Sequence, residues 1–230
     1  MSLSLVGIPN LGTDRPAQAH FNYANPTPNT GIATNATPTA IVATEALMVI
    51  DNSANSTGGL ATKNVFVVPK RISLMCVAAG TAATSVALYF FLDKKNRYAS
   101  GGTELTGNPM YIDTATGFTT RVPLGKVYFG DVTANAASAT KLMYQMKVKT
   151  ATAPCFDVGD RFIFDLDGGN SSNIDNASGA QVVSFKLPEI YIGRLSSLIC
   201  HTIMPSATAG ATFEVEVETI ELFHPREQVT

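Results

Sequence analysis

The chain has 230 residues, with 18 acidic and 16 basic side chains, a formal net charge of −2, and 15% charged against 45% hydrophobic residues. That balance excludes intrinsic disorder, and the length suits one large all-β domain, since sandwiches and barrels run to about 200–250 residues undivided. A pI near 5.9 without a basic run argues against binding a nucleic-acid backbone, which needs clustered Lys and Arg.

Residues 1–40 read as a segment apart. Proline recurs at Pro9, Pro16, Pro26, Pro28 and Pro38 among Asn, Thr, Ala and Gly, and no period of 2 or 3.6 persists. Before Lys63 the only charged side chains are Asp14, Arg15, Glu45 and Asp51. A segment like this cannot build its own core, and a solvated tail is normally more charged. It is expected as an extended N-terminal arm that becomes ordered against another surface, with residues 41–230 as a single β-sandwich domain. Its first residues, MSLSLVGIPNLGTDRPAQ, lack the charged start and long apolar run of a secretory signal.

From Ala40 the pattern turns to strands. Ala46–Ile50 and Val65–Val68 are apolar runs, and Ile72, Leu74 and Cys76 then alternate with Ser73 and Met75. The uncharged stretch Ile72–Leu92 has about the length of a membrane-spanning helix, but its weakly apolar centre (Ala-Ala-Gly-Thr-Ala-Ala-Thr-Ser) fits two strands joined by a turn. No membrane partner is expected. Val86, Leu88, Phe90 and Leu92 alternate with Ala87, Tyr89 and Phe91, so that strand is apolar on both faces and belongs inside a sandwich or against a neighbouring chain.

Later strands alternate more cleanly, through Leu142–Val148, Phe162–Leu166, Val183–Leu187 and Ile199–Ile203. Phe213, Val215 and Val217 alternate with Glu214, Glu216 and Glu218, after which Ile220 and Leu222 take the other parity. A β-bulge near Glu218–Thr219 would shift the inward set in this way. The count is about eight to ten strands at short spacing, which predicts an all-β, two-sheet antiparallel sandwich, expected as a jelly roll.

Chemistry is sparse. Cys76, Cys155 and Cys200 are an odd number, show no zinc-ligand spacing with His20, His201 or His224, and read as buried thiols of a protein made in a reducing compartment. The stretch Asp165–Asp175 gathers Asp165, Asp167, Asn170, Asn173 and Asp175, hard oxygen donors of the kind Ca2+ prefers, although their spacing is not that of an EF-hand. The competing reading is a polar hairpin loop. There is no G-x-S-x-G, and His201 and Cys200 point to opposite faces of one strand. The row Glu214, Glu216 and Glu218 reads as an exposed acidic strand face or one neutralised by a partner. No catalytic residue and no cofactor is expected.

The densest charge cluster is Asp93, Lys94, Lys95, Asn96, Arg97 and Tyr98. Structurally it reads as a solvated hairpin tip; functionally Asp93, Lys94, Lys95, Arg97 and Tyr98 are candidates for a docking contact. The stretch Tyr89–Thr106 (YFFLDKKNRYASGGTELT), the turn Phe156–Phe162 and the Ala/Thr/Asn-rich composition resemble structural proteins of tailed bacteriophages, most of all head decoration (cement) proteins. The resemblance spans residues 63–223. It implies a jelly-roll-like sandwich, a homo-oligomer, often a trimer, and attachment to the major capsid protein of a virion. It carries no catalytic residue. A receptor- or glycan-binding domain of a tail fibre or spike is the alternative, and a hydrolase on a β scaffold is a more distant third.

Overall fold

The computed structural model describes residues 18–34, 40–52, 64–80, 85–110, 123–150, 156–167, 171–177, 180–203 and 210–224. Their fourteen strands, in chain order, are β1 (Gln18–Ala24), β2 (Ile32–Ala33), β3 (Glu45–Asp51), β4 (Asn64–Ala78), β5 (Ser85–Asp93), β6 (Tyr98–Glu104) and β7 (Thr106–Pro109). The second half adds β8 (Lys126–Ala134), β9 (Thr140–Thr150), β10 (Arg161–Asp165), β11 (Ser171–Ala177), β12 (Ala180–Lys186), β13 (Ser197–Ile203) and β14 (Thr212–His224).

The strands form two sheets. The first runs β11-β12-β10-β4-β14-β1-β7, with β2 pairing onto β14, and the second runs β6-β8-β3-β13-β5-β9. Their facing sides share one apolar core, in which Phe90 of the second sheet lies 5.5 Å from Phe164 of the first and Phe129 lies 6.4 Å from Phe213. The all-β two-sheet sandwich stands as expected. Pairing is antiparallel except between β10 and β12, which run parallel because the chain steps past β12 to form β11 and then turns back. The uncharged stretch 72–92 contributes the end of β4 and all of β5 but Asp93, in opposite sheets, while residues 81–84 lie outside the described residues.

The expected arm requires a correction. Residues 18–24 are an interior strand: β1 pairs with β14 on one side and β7 on the other, and it buries Phe21 and Tyr23 to 0% and 1% exposure. Each such side chain contributes about 1.5–3 kcal/mol on leaving water. The segment cannot make a core alone, yet Phe21 and Tyr23 at alternate positions complete the core of its own domain. Residues 1–17 and 35–39 lie outside the described residues.

A register shift falls between Glu218 and Thr219, where the broken pattern of β14 pointed. The extra residue, however, is in β4: Glu218 pairs with Arg71 and Thr219 with Pro69, leaving Lys70 unmatched. A proline cannot donate to the ladder, and a bulge beside it absorbs the fault. The Lys70 carbonyl is used instead by the Leu166 amide at 2.7 Å. Because β14 itself keeps its pleat, its inward set does not slip. Thr219 (1% exposed) and Glu221 (0%) continue the face of Phe213, Val215 and Val217, and Ile220 and Leu222 turn outward.

Candidate functional site

The sequence-derived docking cluster is largely interior. β5 and β6 are not neighbours, so residues 94–97 are no hairpin tip; the chain crosses the outer side of the second sheet, over β13 and β3, to reach β6 beyond β8. Register aligns Asp51, Ser197 and Asp93 in one row beneath this crossing. Arg97 is 1% exposed and Asp93 0%. The Arg97 guanidinium donates to Asp93 Oδ2 at 2.9 Å, to the Asn135 carbonyl at 2.8 Å and to the Ala43 carbonyl at 2.5 Å.

Burial alone would raise the Asp93 carboxyl, but amide bonds from Ser138 and Lys95 and the Arg97 guanidinium outweigh it and hold it below the usual range. Asp51 goes the other way. Its burial dominates the bonds from Ser197 Oγ and from the Arg97 and Tyr98 amides, and pushes its carboxyl up. A charge cluster read as solvent-facing is thus a fastener, in which each buried charge is matched by bonds. Lys94 and Lys95 alone in it are exposed, and Tyr98 lies flat on Tyr128 with ring centroids 3.5 Å apart.

The candidate cation ligands are not brought together. Asp165 pairs across to Arg71 and Lys186, whereas Asp175 pairs with Val182, four positions further along β12. That separates their backbones by roughly 13 Å along the strand direction alone. The expected hairpin between them does not form either, since β12 lies between β10 and β11. Asp165 instead approaches Arg71 at 3.9 Å, Asp167 is exposed, and Asn170 lies outside the described residues. Among the described residues no group of three His, Cys, Asp or Glu side chains converges.

Two members of the acidic row of β14 meet arginines of the same sheet: Arg71 approaches Glu218 and Arg161 approaches Glu216, both at 3.8 Å. Cys76 and Cys200 are buried, as expected, and burial pushes the Cys200 thiol far up. Cys155 lies outside the described residues. His201 is 4% exposed, its Nδ1 sits 2.6 Å from the Glu45 carbonyl, and burial depresses its pKa.

One buried acid escaped the sequence reading. Glu221 Oε1 accepts from the Leu124 amide and, at 2.9 Å, from the Gly125 amide, while Tyr23 donates to the Gly125 carbonyl at 2.8 Å. Burial and the Glu221 charge raise the Tyr23 hydroxyl pKa. Pro69 was the available signal: a proline inside β4 marks the bulge, and with it the parity that turns Glu221 inward.

Two surface features remain. A cleft of about 420 Å³ opens between the 26–33 segment and the second sheet, lined by Thr27, Thr30, Thr103 and Asp131 over Phe129. Gly130, at φ 104°, lets β8 pass close to β2; a Cβ there would meet the Ala33 carbonyl at 2.9 Å. The other feature is apolar. Met110, Leu142, Tyr191 and Leu195 are 45–49% exposed, and Val158 is 65% exposed. No helix among the described residues is long and apolar enough to cross a membrane. Compared with known protein families and with curated proteins, the chain matches none.

Proposed function

We propose that this chain is a non-enzymatic structural subunit of a bacteriophage virion, a decoration (cement) protein with jelly-roll connectivity that binds the lattice of the major capsid protein as a homo-oligomer, expected as a trimer. The observation that carries this reading is the outward turn of Ile220 and Leu222 on an otherwise well-satisfied strand. It places large apolar side chains on the outer side of a sheet whose inner side already forms the core. Exposed apolar patches on soluble proteins mark contact surfaces. The described polar side chains support the same reading, since Asp93, Arg97, Ser197 and Glu221 are engaged in holding crossings and loops in place.

Imaging of purified particles tests it. The expected result is regular density for this chain on the outer capsid shell, at a stoichiometry fixed by the lattice. Absence from purified particles overturns it. The 420 Å³ cleft favours a second reading, a glycan-binding domain of a tail fibre or spike, because three threonines and one carboxylate in its lining suit a sugar's hydroxyls. Density at the tail tip, with binding on a glycan array that is lost in Asp131→Ala, would establish that alternative.

A further inference from the structure

The pattern inversion in β14 does more than bury Glu221. Beyond the bulge, β14 and β4 present large apolar side chains outward, while β1, which lies between Ile220 and Met110, presents His20. Ile220 and Leu222 pair with Val68 and Phe66 of β4. Tyr191, beside the isolated bridge of Ile192 to Val67, packs edge-on against Phe66 with centroids 6.2 Å apart. On the other flank Met110, whose amide bonds the His20 carbonyl at 2.9 Å, closes the row. The strip crosses five adjacent backbones, so four interstrand spacings make it roughly 19 Å long, the span of about six extended residues. Tyr191 at one end is 48% exposed and Met110 at the other 49%, while Phe66, Ile220 and Leu222 are part-exposed.

The strip lies where the described chain starts. β1 begins at Gln18, opposite Leu222, and residues 1–17 precede it. That leader has no charged side chain before Asp14 and carries Leu3, Leu5, Val6, Ile8 and Leu11. The strip suits a neutral occupant, because the charges on its borders are already matched, Lys70 by Glu189 and Arg71 by Glu218.

We propose that the Tyr191–Phe66–Leu222–Ile220–Met110 strip is the landing site for residues 3–8 of a second copy of this chain, an exchange of leaders that joins subunits. This rests on the reading of the chain as a subunit of an assembly. It assigns the outward face of Ile220 and Leu222 to a contact between subunits of that assembly.

Sedimentation velocity of the full chain over a range of concentrations tests it. Two full-length variants are compared with the parent: Leu5→Asp with Ile8→Asp in the leader, and Met110→Lys with Tyr191→Lys in the strip. The parent is expected to self-associate, and each variant to do so about tenfold more weakly or worse, as loss of anchor residues at an interface produces. An equimolar mixture of the two variants should regain association, because an acidic leader then meets a basic strip in trans.

A variant pair that associates as the parent does overturns the proposal. A monomeric parent overturns it too, with a leader that covers its own strip as the replacement. Should the strip variant fail to melt cooperatively, a photo-crosslinker at position 8 decides: crosslinks to Tyr191 or Phe66 between isotopically distinct chains support the exchange, and crosslinks within one chain refute it. Leader-dependent association by a chain missing from particles would leave this inference standing and remove the capsid reading. Regular capsid density for chains that do not exchange leaders would do the reverse.

Discussion

Arg97 is the residue on which the outer side of the second sheet depends. One guanidinium joins Asp93 on β5 to the carbonyls of Asn135, just after β8, and Ala43, just before β3. Removing it leaves the Asp93 carboxylate buried without its counter-charge. Arg97→Met is therefore expected to cost about 3–5 kcal/mol, read as a lowered urea midpoint, while the double change Arg97→Met with Asp93→Leu should recover much of that loss. No recovery in the double variant would sink the assignment.

His201 gives the residue scale its pH dependence. Burial, with a smaller effect from the nearby Arg97 charge, depresses its pKa, and only the bond to the Glu45 carbonyl opposes this. The native state therefore keeps the ring neutral, while the unfolded chain takes up a proton below about pH 6.5. The resulting stability is present above that pH and is lost as pH falls through it. Between about pH 7.5 and 5.5 the urea midpoint should drop, and drop less in His201→Gln. Asp51, whose carboxyl is raised, acts in the opposite sense, so an unchanged slope in His201→Gln would place the effect elsewhere.

At the scale of elements, β1 decides what the N-terminal region is. A truncation that removes residues 1–40 takes away Phe21, Tyr23 and the pairing of β14 on one side. Loss of one core aromatic costs about 3–5 kcal/mol, so loss of Phe21 and Tyr23 together is comparable to the usual total stability of a domain, about 5–15 kcal/mol, before the lost strand pairing is added. That variant is expected to show no cooperative melt by circular dichroism, whereas removal of residues 1–17 should leave the melt intact. A cooperative melt in the longer truncation would show that β1 is dispensable.

The sandwich was legible because alternation was strong where one face meets the core, as in Phe213–Val217 and Phe162–Leu166. β1 was hidden because its inward set is short, Ala19, Phe21 and Tyr23, with only two large members amid Pro, Asn and Thr. The 94–97 crossing was hidden for a different reason. Charge density normally signals solvent, and nothing local tells Arg97 that Asp93, Asn135 and Ala43 will surround it. The bulge was placed at the right position but in the wrong strand, since the broken pattern belongs to β14 and the inserted residue to β4.

At the scale of the whole molecule, the two sheets share a single interior, and strands from the two ends of the described chain, β1 and β14, lie side by side within it. Neither sheet can leave without stripping the other. Thermal unfolding is expected to be one transition, coincident by far-ultraviolet dichroism and tyrosine emission. Two separated transitions would show that the sheets are independent units.

The stacked pair Tyr98 and Tyr128, whose planes lie within 5° of parallel, has a practical use. In a polypeptide without tryptophan, two overlapping phenol chromophores supply a strong coupled near-ultraviolet band. That band registers the seating of the 94–98 strap in real time, without a label.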